Sequence, residues 1–263
     1  MTAVDDRPSR VRVRGSLVAW GLAAAGVLVQ MSFPFSGGGD AVLAVVVVVL
    51  LAGAALVHAA SSRGARSALA LLLVAGGGAL VAEAVGVATG YPFGEYDYTR
   101  SLGASVLGVP LVVPLAWIMI AYPCLLAARR LTGDRPVPTV LLAAWTMTTW
   151  DVFLDPQMVD AGHWRWADPT PALPGVADVP LTNYAGWLVV SALLCALLQV
   201  LVARPRVRSA DLMPHALLLW TFGSSVLANA VFFGRPPVAL VGGLLMATVA
   251  VPLAVSLWRA RVR

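Results

Sequence analysis

The sequence predicts an all-α fold, a polytopic bundle of about eight transmembrane helices. Hydrophobic residues make up 59% of the 263-residue chain and charged residues only 12%, which is roughly half the charged share of soluble domains. Apolar runs of about 20 residues, the length that crosses a bilayer, recur between short segments that carry arginine. We therefore assign residues 15–258 to one transmembrane bundle, residues 1–14 to a basic N-terminus and residues 259–263 to a basic tail.

The predicted spans follow the apolar runs in order. The first, Leu17 to Phe33, follows a basic segment like that of a signal peptide but lacks a small-residue cleavage site, so we expect an uncleaved helix. In the fourth span, Pro110 and Pro114 should cause a kink, and Pro156 should end the fifth. The other seven spans are predicted at Ala41 to Ala60, Ser67 to Ala88, Val106 to Ala128, Val137 to Asp155, Asn183 to Ala203, Leu212 to Phe233 and Val238 to Trp258.

The placement of arginine predicts the orientation of the bundle. The chain has 18 basic residues, all of them arginines, and with eight spans all but Arg100, Arg165 and Arg235 fall on the side of the two termini. Basic residues accumulate on the cytoplasmic side of membrane proteins. We therefore expect both termini in the cytoplasm and a multi-pass protein of the cell (plasma) membrane. These topology signals also explain the net charge of +5, so no nucleic acid partner is predicted.

The segment from Trp145 to Trp166, WTMTTWDVFLDPQMVDAGHWRW, begins as the apolar second half of the predicted fifth span and ends as a polar, aromatic loop. Asp151 and Asp155 are four residues apart, so a helix that continues to Asp155 places both carboxyl groups on one face. Carboxyl groups within membrane spans usually face a cavity or a partner. A carboxyl group that keeps its proton in an apolar pocket can act as a general acid. This segment is therefore the predicted active site.

Further acids and aromatic rings converge on the same predicted outer membrane face. Glu83 lies near the outer end of the third span, and Glu95 and Asp97 lie in the loop that follows it. Rings near this face could stabilise a carbocation through their π faces. The structural alternative is that the acids cap helices or pair with Arg100 and Arg165, and that the rings form an interfacial belt. The rings are Tyr91, Phe93, Tyr96, Tyr98, Trp150, Trp164, Trp166, Tyr184 and Trp187.

The sequence shows no motif for a metal or a cofactor. His163 is the one histidine of the polar cluster, and no HExxH or CxxC accompanies it, so we expect a hydrogen-bonding or proton-relay role. A buried acid with aromatic walls and no cofactor fits the protonation of an alkene in a lipid-soluble substrate. Water or an internal double bond would then capture the tertiary cation.

Four stretches resemble the integral-membrane carotenoid biosynthesis proteins, in this order: GYPFGEYDYT, GVPLVVPLAWIMIAYP, WDVFLDPQMVDAGHWRW and VPLTNYAGW. The resemblance extends in detail from Glu83 to Trp187. The family includes carotenoid 1,2-hydratases and bisanhydrobacterioruberin hydratases. It implies addition of water across the terminal C1–C2 double bond of the ψ end group of an acyclic carotenoid, without a cofactor. It also implies the lipid bilayer and other carotenoid-pathway enzymes as partners.

The resemblance points to seven site residues: Glu95, Asp97, Asp151, Asp155, His163, Arg165 and Asn183. We hypothesise that Asp151 or Asp155 protonates C2, while the other, with His163 or Asn183, positions water at C1. The expected catalytic residues are Asp151, Asp155, Glu95, Asp97, His163 and Asn183. The expected substrate-binding residues are Glu83, Tyr91, Phe93, Tyr96, Trp117, Trp150, Trp164, Arg165 and Trp166.

Two alternatives stay open at this stage. The same protonation could end in ring closure, which would make the protein a lycopene-type cyclase. In a different class, the protein could carry or bind isoprenoids, with its acids as proton-coupling groups. A carrier more often shows internal repeats with interrupted helices in matching halves, and Pro110 and Pro114 have only a partial counterpart in Pro252.

Overall fold

In a computed structural model, which describes residues 10–204 and 211–262, eight helices are long and apolar enough to cross a membrane. This confirms the predicted all-α bundle, while the orientation of its termini stays a prediction. Residues 1–9 of the predicted basic N-terminus lie outside the described residues. The helices are α1 (Arg10–Gln30), α2 (Ala41–Arg63), α3 (Ala65–Thr89), α4 (Val112–Thr132), α5 (Pro136–Asp160), α6 (Leu181–Leu201), α7 (Leu212–Phe232) and α8 (Pro236–Val262).

Prolines act differently from the prediction in α4 and α5. Helix α5 continues through Pro156 to Asp160, because membrane helices tolerate proline where neighbouring helices compensate for the lost hydrogen bond. Helix α4 begins only at Val112. Pro110 therefore lies in a short strand before the helix, and Pro114 lies in the first helical turn, where a missing N–H costs little.

Three short antiparallel ribbons cover one end of the bundle. Strand β1 (Tyr96–Tyr98) pairs with β4 (Trp164–Trp166), β2 (Ser105–Val106) with β3 (Val109–Pro110), and β5 (Ala172–Leu173) with β6 (Val176–Pro180). The ribbons lie among the connections that join α3 to α4 and α5 to α6. We call this end of the bundle, which also carries the α1–α2 and α7–α8 connections, the site end.

Helix α4 is the centre of the bundle and α7 is its most loosely packed member. Helix α4 packs against α2, α3, α5, α6, α7 and α8, and 78% of its most apolar stretch is buried. The corresponding stretch of α7 is only 17% buried. The core therefore surrounds α4, and α7 lies at the edge of the bundle.

Buried arginines hold the helices together at the end opposite the site end. Arg63 of α2 pairs with Asp211 at 2.5 Å and donates to the hydroxyl of Tyr122 at 2.9 Å. Arg129 of α4 donates to the side chain of Gln199 at 2.7 Å. A buried charge is stable only with such partners. These contacts therefore tie α2, α4, α6 and the start of α7 to one another.

Candidate active site

Two buried aspartates of α5 are joined through one side chain of α6. The side-chain nitrogen Nδ2 of Asn183 donates to Asp151 Oδ2 at 2.9 Å and also to Asp155 Oδ2. Trp164 Nε1 donates to Asp155 Oδ1 at 3.1 Å. Asp151 Oδ1 is buried and has no hydrogen-bond partner among the described residues, so Asn183 is the one donor that the two carboxyl groups share. The helical spacing that the sequence predicts for this pair is therefore present.

Glu83 of α3 forms the second acidic element of the site. Its Oε2 accepts hydrogen bonds from the hydroxyls of Tyr96 at 2.5 Å and Tyr98 at 2.8 Å, and its Oε1 accepts from Trp117 Nε1 at 3.0 Å. Burial, and then the nearby charge of Glu83, raises the pKa of Tyr96 and of Tyr98 well above its usual value, so both hydroxyls stay protonated donors. Three fixed donors therefore hold the Glu83 carboxyl in place.

The strand pair β1–β4 places four aromatic rings on the site side, because its aromatic and charged residues alternate along each strand. Tyr96 lies opposite Trp166 and Tyr98 opposite Trp164, while the intervening Asp97 and Arg165 are exposed. Side chains alternate between the two faces of a strand. The ribbon therefore turns its aromatic face toward the bundle and its charged face outward.

Tryptophans from three helices complete the walls. Trp117 and Trp187 stack with ring centroids 4.0 Å apart and an interplanar angle of 10°. Trp150 meets Trp187 edge-on, with centroids 6.0 Å apart. All three rings are buried and offer π faces or edges to a ligand. Such faces attract a cation.

These groups line a cavity of about 610 Å³, within the usual size of small-molecule sites. Glu83, Asp155 and Asn183 line it and are nearly fully buried, whereas Asp151 is buried but is not among the residues that line it. Asp155 therefore faces the cavity, and Asp151 lies behind it. We call the end of the cavity at Glu83, Asp155 and Asn183 its closed end. Lining residues near them include Phe93, Tyr96, Tyr98, Trp117, Trp150, Phe153, Trp164, Trp166 and Trp187.

Several residues predicted for the site lie elsewhere. Glu95, Asp97 and Arg165 are exposed on the outer side of the ribbon, and Tyr91 is 79% exposed. None of these four lines the cavity among the residues that the structure describes. They lie on the loops that cover the site rather than inside it.

His163 is buried but is directed away from the acid pair. Its Nδ1 is 2.7 Å from the hydroxyl of Ser101, and it does not line the cavity formed by the described residues. Burial lowers the pKa of His163 and so favours a neutral ring, while a contact with the Gly39 backbone acts in the opposite direction. The contact with Ser101 ties the segment after α5 to the loop between α3 and α4.

Two rings of the site, Tyr98 and Trp187, were predicted only as aromatic residues near the membrane face and not as site residues. Tyr98 donates to Glu83, and Trp187 forms half of the tryptophan stack. The alternation in YDY could have indicated Tyr98, and Trp187 lies four residues after Asn183, on the same helical face. The contribution of α1, α2 and α7 to the cavity has no comparable sequence signal.

Comparisons with known proteins identify similar sequences. A family model described as carotenoid biosynthesis protein matches residues 43–259. A bisanhydrobacterioruberin hydratase of Haloarcula japonica is 36% identical over 110 residues, which cover 40% of this chain and 36% of that protein. The matched region thus spans about a third of the length of this curated relative. No solved structure is significantly similar to the chain.

Proposed function

Because the chain belongs to the carotenoid biosynthesis protein family, we propose that it is a carotenoid hydratase. It adds water across the terminal C1–C2 double bond of the ψ end group of an acyclic carotenoid. The observation that carries this proposal is the Asp155 carboxyl group at the closed end of a largely apolar cavity, where it is hydrogen-bonded to Asn183 and Trp164. The relative with the name bisanhydrobacterioruberin hydratase supports the same reaction class.

Asp155 is the general acid in this mechanism. Of the two aspartates it is the one that lines the cavity, so its proton can reach a bound alkene. The electron pair of the C1–C2 double bond forms a new C2–H bond, and the Asp155 O–H bond breaks. The positive charge remains on C1, where three carbon substituents stabilise it. General acid catalysis of this kind contributes about 10²–10⁴-fold to a rate.

The cation at C1 is stabilised by the opposite wall. Glu83, with its oxygens fixed by Tyr96, Tyr98 and Trp117, supplies a preorganised negative charge. Charges and dipoles that are fixed before the reaction stabilise a transition state most effectively in a site from which bulk water is excluded. The stacked rings of Trp117 and Trp187 add their π faces.

Water completes the reaction. Its oxygen forms a bond to C1, and one of its protons returns to the Asp155 carboxylate, so that the acid is regenerated. The product is a tertiary 1-hydroxy carotenoid, the net change is the addition of one water, and no electrons are transferred. The reaction therefore uses no redox cofactor.

Asn183 positions the acid. It donates to both carboxyl groups, and Asp151 is buried behind Asp155, on the side away from the cavity. At least one of the two carboxyl groups keeps its proton, because two buried carboxyl groups this close cannot both be ionised without a large cost. Asn183 thereby keeps the Asp155 carboxyl group in one orientation.

The protein is a multi-pass membrane protein, and we place it in the cell membrane with both termini in the cytoplasm. The arginine distribution supports this orientation. The site end then lies near the outer membrane face. Reporter fusions after residues 37, 104, 134 and 263 would test it: an exported reporter should be active only at the first two positions.

Pigment analysis tests the reaction. The chain is expressed in a bacterium that accumulates lycopene, and separately in one that makes an elongated acyclic carotenoid. Hydration predicts a gain of one water per modified end with an unchanged chromophore. An isomer of unchanged mass with a blue-shifted spectrum would indicate a cyclase instead, and unchanged pigment bound to the protein would indicate a carrier.

A further inference from the structure

The cavity that holds the proposed acid site is closed at one end and open at the other. At the closed end Glu83, Asp155 and Asn183 are each less than 5% exposed. At the other end the cavity is lined by the last turn of α1, the short helical turn Phe33–Ser36 and the second half of α7. Several lining residues there are at least half exposed: Met31, Phe35, Leu227 and Phe232. We call this end the α1–α7 opening.

The α1–α7 opening faces sideways, out of the bundle. Its α7 side belongs to a helix that is long and apolar enough to cross a membrane and is the least buried of the eight in the described chain. Side chains that are exposed on such a helix face lipid when the protein is in a bilayer. The opening therefore faces the part of the bilayer that surrounds α1 and α7.

We propose that the α1–α7 opening is the binding subsite for the unreacted part of the polyene, and that the carotenoid enters and leaves through it from within the bilayer. This inference rests on the proposed hydratase function and adds the path and the position of the substrate chain. One end group reaches Asp155, while the rest of the chain lies between α1 and α7 and continues into the lipid. The lining of the opening is mainly apolar, as such a chain requires.

One hydrogen bond joins α1 and α7 at the opening. Trp220 of α7 donates through Nε1 to Oε1 of Gln30 of α1 at 2.8 Å, and both residues line the cavity. This polar contact joins the two helices beside the cavity. It leaves a passage whose apolar walls include Met31 and Leu227.

The geometry has a consequence for substrates that have two reactive ends. The closed end contains one acid pair, so only one end group can react while the chain is bound. The second end reaches Asp155 only after the carotenoid has left through the opening and has bound in the opposite direction. A product with one added water must therefore be released before the product with two appears.

Gly223 provides a direct test, because it lines the cavity and is exposed. A Cβ atom added there would meet no heavy atom within 4 Å, so a side chain can be introduced at this position without a clash at its Cβ. Gly21 of α1 offers the matched control. It is also exposed, also has open space around its Cβ position, and does not line the cavity.

The experiment compares Gly223→Ala, Gly223→Leu, Gly223→Trp and Gly21→Trp with the unchanged protein, purified in detergent from a carotenoid-producing strain. Two quantities are measured: pigment bound per protein, by absorbance, and hydrated product. We expect Gly223→Trp to lower both by roughly tenfold or more, because the ring takes the apolar space of the chain. Gly223→Leu should give a smaller loss, and Gly223→Ala and Gly21→Trp should match the unchanged protein.

The outcomes separate the two proposals. Undiminished pigment and product in Gly223→Trp would overturn the subsite, and so would an equal loss in Gly21→Trp. If Gly223→Trp fails to fold, as judged by gel filtration, the comparison of Gly223→Leu with Gly223→Ala decides in the same way. If the unchanged protein binds pigment but adds no water, the hydratase proposal fails while the Gly223 series still tests the subsite.

Discussion

Asn183 of α6 and Asp155 of α5 are hydrogen-bonded through the amide nitrogen of the asparagine, and the same nitrogen also donates to Asp151. One donor thus fixes two acids that are a single helical turn apart. A buried carboxyl group without a partner is unstable, so the two helices must keep this spacing for the site to exist. The geometry links the packing of α5 on α6 to the position of the proposed acid.

Replacement of the acid gives the first prediction. Asp155→Asn should lower hydration by about 10²–10⁴-fold, because the amide cannot donate an acidic proton to C2. Asp160→Asn is the matched control, since Asp160 lies on the same helix but is exposed and pairs with Arg235. Hydrated carotenoid is measured by mass spectrometry at equal protein levels. Full activity of Asp155→Asn would remove Asp155 from the mechanism.

Loss of the shared donor gives the second prediction. Asn183→Leu should destabilise the protein by about 1–3 kcal/mol, because Asp151 loses its hydrogen-bond donor and is left buried without a partner, whereas Asp155 keeps Trp164. Ser191→Ala is the control on the same helix, since the Ser191 hydroxyl is buried and has no partner among the described residues. The measurement is thermal unfolding in detergent. Equal unfolding temperatures for the two variants would show that the amide does not stabilise the acids.

The fixed negative charge gives the third prediction. Glu83→Gln should lower turnover by about 10²–10³-fold, the usual effect of removing a preorganised electrostatic group, because the neutral amide cannot stabilise the cation at C1. Bound pigment should remain, since the side chain keeps its size. Glu95→Gln, on an exposed acid, should leave turnover unchanged. A strong effect of Glu95→Gln and none of Glu83→Gln would reverse the assignment.

The tryptophan stack gives the fourth prediction. Trp187→Leu should slow the reaction by roughly tenfold. A cation–π contact from which water is excluded contributes about 1–2 kcal/mol, and losing that much transition-state stabilisation lowers a rate about tenfold. Trp258→Leu replaces a tryptophan that is 64% exposed and controls for a general effect on the fold. Turnover is compared at equal amounts of bound pigment. A slower reaction in the control, or an unchanged one in Trp187→Leu, would speak against π stabilisation.

His163 gives the fifth prediction. His163→Gln should leave turnover at equal amounts of folded protein close to that of the unchanged protein, because the ring contacts Ser101 and does not line the cavity. Product formation over time is the measurement. A loss of the size expected for Asp155→Asn would show that His163 relays a proton, the role that its place in the sequence suggests.

The helix bundle and the acid pair could be predicted from the sequence because both follow from periodic patterns. Apolar length defines each span, and four-residue spacing aligns Asp151 with Asp155. The end of α5 was predicted wrongly, because Pro156 acts locally while tertiary packing carries the helix on to Asp160. Local rules for proline assume an isolated helix.

The shape of the cavity could not be predicted, because it depends on which helices meet. Glu95 and Asp97 share a loop with Tyr96, and only the pairing of β1 with β4 turns the tyrosine inward and the acids outward. The Gln30–Trp220 contact joins residues that are 190 positions apart. A single sequence contains no signal for a contact at that separation, and the alternation in YDY does not say which strand it pairs with.

The central claim is that Asp155 protonates C2 and that water then adds to C1. The most direct measurement is mass spectrometry of the product formed by purified protein from an acyclic carotenoid in deuterated water, and separately in water enriched in heavy oxygen. We expect one carbon-bound deuterium at C2 and one heavy oxygen at C1 for each modified end, and neither label with Asp155→Asn. A cyclic product without heavy oxygen, or full labelling by Asp155→Asn, would contradict the claim.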